Sequence, residues 1–434
     1  MKVIYFNPAT VARRFTPFEA LKGSTFFRRT DFDALRLGHL CRHHDFFYYD
    51  EQIADQPKVK PDIVLMNVPL NLAGYVEQAL KEKWPEPTIM VLCGVYPTLF
   101  PNDAKRLANA VIVGDVTVSW PSLMADHTRK KIGRVYRDRV GVSFKTDRSF
   151  EGQFGFTSAF SQLRTAYGCH CPPEQRDYCP EGILYSTPVI CPVENLVEEI
   201  ARIRRKTIYI LDDDFLADPD RAIKILESCW AYKKRWIFQT GPAIFELPGI
   251  LPLLQDNGVR IVYIKENWLG NDLAKKIGQK YFVKQIEHQI NTIHGHRIAV
   301  GAKIRLGFEG EDKAFYKALP KFLININLDF IEVSTQTPLP LTSTYQQYKK
   351  TGRIAPDLAL FDQWSPVVKL DSLSPQELYA EMERTRDYFY SWDSIIKRNV
   401  LVSQKLGIYN TAFYLLLPNL SYRNNFLEKI GFPP

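Results

Sequence analysis

What most constrains this chain is the way short, almost wholly apolar runs alternate with helical segments of about ten residues. VIYFN at 3–7, PDIVLMNVPL at 61–70, PTIMVLCG at 87–94 and VIVGD at 111–115 are strand-like. DALRLGHLCRH at 33–43, GYVEQALKEKW at 74–84 and PNDAKRLANA at 101–110 carry helical apolar spacing between them. Apolar strands separated by crossover helices predict a parallel sheet buried on both faces. The order predicts a doubly wound, Rossmann-like α/β domain over 1–125, with any ligand at the carboxyl ends of its strands. Residues 126–160 read as a linker, and the six Lys/Arg at 129–139 as a solvated face.

A second α/β series starts at 161. Strands are expected at KTIYILDDDF (206–215), RWIFQTGP (235–242), VRIVYIKEN (259–267), RIAVGAKIRLGF (297–308) and DFIEVSTQTPL (329–339). Helices are expected between them, including VENLVEEIARIRRK (193–206), with acids early and bases late, and DPDRAIKILESCWAYKK (218–234). The series fits a partial or full (β/α) barrel over 161–355, with its chemistry at the strand carboxyl ends. Residues 356–434 read as a helical, aromatic-rich tail that packs on the barrel and covers substrate.

Composition narrows the classes. Apolar residues at 45% and charged residues at 24% exclude a disordered or fibrous chain. A length of 434 residues implies two or three domains. The net charge of +8 is spread along the chain; it suits anionic small molecules and gives no basis for a nucleic-acid partner. No apolar run approaches the ~18 residues of a transmembrane helix. The start MKVIYFNPAT lacks a signal-peptide layout. Seven cysteines without a disulfide framework point to a reducing, cytoplasmic setting.

The most informative segment is YGCHCPPEQRDYCPEG at 167–182. Cys169, Cys171 and Cys179 fall within eleven residues, and Cys191 follows twelve positions later. Thiolates in such a loop can converge on one metal; soft sulfur selects iron–sulfur, zinc or Cu(I), and zinc is the competing reading from the residues alone.

The surrounding motifs resemble the radical S-adenosylmethionine (SAM) enzymes with an N-terminal cobalamin-binding domain, over about residues 1–400. VLCGVYPTLFPNDAKRLANAVIVGDVTVSWPSLM (91–124) is similar to that family's glycine-histidine-proline loop, helix, strand and GEGE–Trp–Pro sequence. RTAYGC (164–169) resembles the entry to its cluster loop, and IYILDDDFLADPDRA (208–222) its second barrel strand. NGVRIVYIKENW (257–268), GAKIRLGFEGED (301–312) and VSTQTPLPLTSTYQQYKKTGRI (333–354) resemble later strands and turns in the family's order.

The resemblance implies a 4Fe–4S cluster on three cysteines, SAM on its fourth iron, and cobalamin on the first domain. The family's CxxxCxxC is altered here: Arg176 stands where a cysteine is expected, and Cys171 is an additional thiol. Three readings are open: ligation by Cys169, Cys171 and Cys179, which is favoured; a fourth ligand, Cys191, closing the iron to SAM; or no cluster. The same resemblance implies SAM contacts from Asp213, Gln239, Glu266 and Arg305, with Thr335, Gln336 and Thr337 near adenine or substrate. Cobalamin would lie over the strand ends at Asn7, Val68, Pro69, Cys93, Gly94, Tyr96, Pro97 and Thr98. No D-x-H-x-x-G is present, and His43 and His44 read as surface residues. The implied activity is cleavage of SAM to a 5′-deoxyadenosyl radical and methylation of an unactivated carbon through cobalamin. The substrate would be a small molecule, hydrophobic or macrocyclic, and ferredoxin or flavodoxin the electron donor. The alternatives are radical cyclisation or oxidation without cobalamin, and a non-catalytic relative with a structural metal or fully ligated cluster.

Overall fold

A computed structural model describes residues 1–9, 30–51, 54–84, 87–139, 141–151, 159–168, 176–185, 188–247, 249–265, 268–269 and 272–426. The first sheet contains β1 (Lys2–Asn7), β2 (Asp45–Asp50), β3 (Ile63–Asn67), β4 (Ile89–Cys93), β5 (Ala110–Ile112) and β6 (Val135–Tyr136). All neighbours are parallel, in the order β2-β1-β3-β4-β5-β6. The chain leaves β1 for opposite sides of the sheet, so the crevice between the ends of β1 and β3 is its topological switch point.

Side chains alternate between the faces. Ile4, Phe6, Val64, Met66 and Leu92 fill one core; Val3, Tyr5, Ile63, Leu65 and Val91 fill the other. Helix α1 (Phe32–Leu40) starts at the Asp31 cap, which accepts from Asp33 N at 2.7 Å. It packs Ala34 and Leu37 on the second core, beside Val116, Trp120 and Leu123 of a later helix. On the first core lie α2 (Tyr75–Lys83), α3 (Val95–Leu99) and α4 (Pro101–Leu107), through Val76, Ala79, Tyr96 and Ala104. Helix α5 (Val116–Thr128) then follows β5.

Two strands lie outside the sequence reading. β2 is an edge strand of four aromatics flanked by acids, DFFYYD, without the aliphatic run that marks the other strands. β6 has two residues inside the basic stretch and carries the sheet beyond residue 125; it is too short for any periodicity.

The second sheet starts with β7 (Ser161–Leu163). A two-stranded antiparallel ribbon follows, β8 (Ala166–Tyr167) with β9 (Val189–Ile190), and the cysteine loop is carried on this ribbon with α6 (Pro180–Leu184) on its return limb. Then come α7 (Val193–Arg202), β10 (Thr207–Ile210), α8 (Pro219–Ser228), β11 (Arg235–Thr240), β12 (Val259–Ile264), α9 (Lys280–Gly295), β13 (Ala299–Leu306), α10 (Lys313–Asn325) and β14 (Phe330–Thr335). The six strands β7 and β10–β14 form one parallel sheet in that order, an open arc with free edges at β7 and β14. The barrel is therefore partial.

Helices α11 (Pro375–Phe389), α12 (Trp392–Leu406) and α13 (Leu417–Phe426) pack on it. The Tyr390 hydroxyl accepts from Ile331 N at 2.9 Å and donates to Ile331 O at 2.8 Å, covering the β14 edge. Tyr414 bonds Thr207 at the start of β10, 2.9 Å, and Arg398 donates to the carbonyl of Asp329 just before β14. The Tyr422 hydroxyl donates to Glu332 at 2.6 Å and lies 3.1 Å from the Tyr263 hydroxyl. The tail thus closes the free edge and the amino-terminal end of the arc. At the carboxyl ends the region 356–434 contributes Phe361, Val367 and Val368, and Leu378 of α11 stands against Gly307 just after β13. Those ends face the first domain and the segment 339–368, whose Leu339, Phe361, Val367 and Val368 share a core with Val68, Leu70 and Tyr96. No helix among the described residues is long and apolar enough to cross a membrane.

Candidate active site

The stem of the cysteine loop is pinned at both limbs. Asp212, at the end of β10, accepts from Thr165 N (2.7 Å), Ala166 N (3.2 Å) and the Thr165 hydroxyl. It is buried, and burial holds its carboxyl above the ordinary range despite these donors. Arg221 of α8 reaches Thr165 Oγ1 at 3.0 Å, and the carbonyls of Thr165 and Cys191 at 2.9 Å each. Cys191 N bonds Thr165 O at 3.0 Å, and its side chain is 1% exposed within the barrel core. Cys191 therefore sits at the foot of the loop as a packed thiol. Cys169, Cys171 and Glu266 lie outside the described residues, and His170 with them. Among the described residues no group of three His, Cys, Asp or Glu is arranged to hold a metal.

The return limb is tied to the barrel. Asp177 accepts from Ser343 Oγ at 2.6 Å and Thr344 N at 2.8 Å, and its carbonyl accepts from Leu339 N at 2.8 Å. The Arg305 guanidinium lies 4.8 Å from the centroid of the Tyr178 ring, a cation–π contact. The next residue, Cys179, precedes α6 and is partly buried. Burial, with the Asp213 charge adding, pushes its thiol up to about 11. An unmetallated Cys179 therefore stays protonated at neutral pH, and a metal must displace that proton to bind it.

Beside Cys179 the strand ends form a charged set. Lys265, following β12, lies 2.7 Å from Asp213 and 3.8 Å from Asp214. Gln239 Nε2 donates to the Asp213 carbonyl at 2.7 Å, and Thr240 to Asp214 Oδ1 at 3.0 Å. Asp213, Gln239 and Arg305 are thus brought to one end of the arc, as the sequence reading expects. Lys265 and Tyr178 were missed by that reading. Thr335, Gln336 and Thr337 are buried and held mostly by protein partners: Thr335 and Thr337 hydroxyls are 3.2 Å apart, and Gln336 donates to the Gly307 carbonyl.

The turn after β13 holds a buried acid. Glu311 accepts from Gly307 N at 2.7 Å and from the Tyr316 hydroxyl, and burial pushes its carboxyl up to about 7 from 4.5. The folded state therefore binds a proton that the unfolded chain releases near its ordinary pKa. This contribution to stability is full below pH ~4.5 and is lost as pH rises through ~7. Chemical denaturation at pH 5 and pH 7.5 should show Glu311→Gln losing less stability than the parent, by roughly 1–3 kcal/mol. Equal pH slopes in the two proteins would remove the assignment.

The switch point of the first sheet carries a polar web. Asn7 Nδ2 donates to Asp31 at 3.0 Å, and Asn67 Nδ2 donates to Asn7 Oδ1 at 3.1 Å. Gly94 has φ +98°, and a Cβ there would stand 2.4 Å from Asn67 Oδ1, so the turn needs glycine for the fold itself. Tyr96 is buried with its ring 5.9 Å from Phe100. Pro97 is buried beside it. Thr98 Oγ1 donates to Gly94 O at 2.7 Å and accepts from Gly114 N at 3.0 Å. All four line the carboxyl end of β4. His43 and His44 lie between α1 and β2, at the opposite edge, so neither faces the switch point. The two domains meet closely here: a Cβ on Gly114 would lie 3.9 Å from the Leu184 carbonyl, at the end of α6.

A Rossmann-like domain whose ligand edge faces a cysteine loop on a six-stranded partial barrel is the arrangement of the cobalamin-dependent radical SAM enzymes. Comparison with known proteins shows that the chain shares its fold with members of that class. No family model matches the chain. It is 21% identical over 322 residues to the bacteriochlorophyllide d C-12(1)-methyltransferase of Chlorobaculum tepidum, covering 71% of this chain and 70% of that relative. It is 22% identical over 260 residues to the hopanoid C-2 methylase of Rhodopseudomonas palustris, covering 56% of this chain and about half, 49%, of that relative. Among solved structures, it is similar to the radical SAM methyltransferase TsrM from Kitasatospora setae, with cobalamin and a [4Fe-4S] cluster bound. The TM-score is 0.52 at 13% identity, covering 77% of this chain and 72% of TsrM. It is also similar to the cobalamin-dependent SAM radical enzyme OxsB with aqua-cobalamin and SAM bound. There the TM-score is 0.54 at 12% identity, covering 98% of this chain and 80% of OxsB.

Proposed function

We propose that the chain is a radical SAM methyltransferase that holds a 4Fe–4S cluster on Cys169, Cys171 and Cys179, binds SAM at the barrel strand ends, binds cobalamin on its first domain, and methylates an unactivated carbon of an apolar small molecule. The observation that carries this reading is the position of Cys179. The limb before it is tied to the barrel through Asp177 and Tyr178, the Asp213 charge acts on its thiol, and the helix after it ends beside Gly114 of the first domain. Three cysteines are a soft donor set suited to iron–sulfur. With Cys191 packed in the core, the loop supplies three thiolates, which leaves one metal corner for SAM and disfavours the fully ligated alternative.

When bound, the cluster and cobalamin would supply the electron and the methyl-carrying metal respectively. This chain's residues do the rest. Asp213, held by Lys265, offers a carboxylate to the amino group of SAM. Arg305 offers a cation to its carboxylate, with Tyr178 fixing the guanidinium. Gly94, Pro97 and Thr98 at the carboxyl end of β4 would hold the cobalamin, over a floor packed from Val68, Leu70 and Tyr96. The relatives are a bacteriochlorophyllide d methyltransferase and a hopanoid methylase, and the apolar substrate class proposed here agrees with both.

The test is anaerobic reconstitution with iron and sulfide, followed by EPR of the reduced protein with and without SAM. A SAM-dependent change of the signal supports an open iron; an iron-loaded protein blind to SAM sinks the reading. Within it, Asp213→Ala is expected to weaken SAM binding about tenfold or more, since a hydrogen bond to a charged group contributes ~1.5–3 kcal/mol. Titration calorimetry on the reconstituted protein checks this, and an unchanged Kd would clear Asp213 of the role.

A further inference from the structure

We propose that Arg36 is a positioning residue through which the Rossmann-like domain sets the pose of the cysteine loop. This rests on reading that loop as the cluster site. Arg36 lies on α1 of the first domain and is 0% exposed. Its Nε donates to Ser143 O at 2.8 Å, Nη1 to Asp33 Oδ1 at 2.8 Å, and Nη2 to Asp115 Oδ2 at 2.7 Å and to Thr117 Oγ1 at 2.5 Å. Asp115 is the cap of α5 in the GDVTVSW segment.

Both ends of the loop converge on this pair. Tyr167, the last residue of β8, places its ring centroid 4.5 Å beneath the Arg36 guanidinium. Tyr185, directly after α6, donates its hydroxyl to Asp115 Oδ2 at 2.5 Å. The Tyr167 and Tyr185 rings are 5.0 Å apart. Arg164 sits 4.9 Å from the Tyr167 ring and pairs with Glu181 of α6 at 2.9 Å. The buried Tyr167 hydroxyl has no hydrogen-bond partner among the described residues, so the ring is oriented by the stacked cations and by Tyr185.

The consequence is physical. Asp115 is buried, which favours its neutral form, yet Arg36, Tyr185 and Thr117 outweigh that and keep it charged. A charged acceptor gives Tyr185 a strong hydrogen bond across the domain boundary. Without the Arg36 cation, Asp115 would be an uncompensated buried charge. It would take a proton or turn to solvent, and Tyr185 and the loop behind it would lose their anchor.

Tyr185→Phe removes only the cross-domain hydrogen bond, and Arg36→Met removes the cation; both are made in the full chain. Hydrogen exchange over 168–184 is expected to quicken at least fivefold in each, while exchange over β13 stays unchanged. In reconstituted Tyr185→Phe, iron content is expected to match the parent while the SAM-dependent EPR change is lost or altered. Unchanged exchange and an unchanged spectrum in folded Tyr185→Phe overturn the proposal. Faster exchange with an unchanged SAM response overturns it too, since Arg36 would then be structural only. Should Arg36→Met not fold, Tyr185→Phe alone decides. A parent protein that takes up no iron overturns the proposed function instead, and the exchange arm still decides whether Arg36 holds the loop.

Discussion

Cys179→Ala is expected to leave the anaerobically reconstituted protein colourless and free of bound iron, while its fold persists. Cys179 follows a limb held by three contacts of Asp177 and by the Tyr178–Arg305 stack, so its sulfur is delivered to a fixed place beside Asp213. With three cysteines in the loop, removal of one leaves two thiolates, too few for the cluster. The side chain is only partly buried, so truncation costs little in packing. Cys41→Ala and Cys229→Ala are the controls. Both thiols are buried in apolar cores, which pushes them up to about 12 and about 11, and they sit away from the loop. Iron and sulfide counts, read with the visible spectrum, decide the matter. Normal iron in Cys179→Ala, or iron lost in either control, would remove the assignment of the loop.

Gly301→Val is expected to be the most damaging single change to the barrel. Gly301 lies mid-strand in β13, opposite Tyr263 of β12. A Cβ there would stand 2.4 Å from two carbons of the Tyr263 ring, inside any real contact distance. The ring has nowhere to go: Tyr263 is fully buried and its hydroxyl is bonded to Tyr422 of the tail. Overpacking of this kind costs roughly 1–3 kcal/mol, and more where the neighbour cannot shift. The denaturation midpoint should fall sharply, with β13, β12 and the tail loosening together in hydrogen exchange. A midpoint within experimental scatter of the parent would show that the ring is not locked.

The fold was largely legible because its strands announce themselves. The stretches around Ile63–Asn67, Ile89–Cys93 and Val259–Ile264 are nearly pure apolar runs, buried on both faces as a parallel sheet requires. β2 lacks that signature because its aromatics are bounded by acids, and β6 because it has only two residues. The site was half legible. Asp213, Gln239 and Arg305 could be placed at strand ends by counting along each strand. Their partners could not: Lys265 meets Asp213 only through the register of three strands, and Tyr178 meets Arg305 across a loop. Arg36 carried a weak signal, an arginine within the DALRLGHL helix that turns out as buried as its leucine neighbours. Gly94 was placed among the residues beneath a cofactor; its φ of +98° also brings the turn against Asn67 and Val68, which no sequence pattern announces.

Among the described residues the arc of six strands is flanked by the helices α11–α13. A protein cut before Pro375 would bare Tyr263, Phe330 and the outward backbone of β14, a ready template for a stray strand from another molecule.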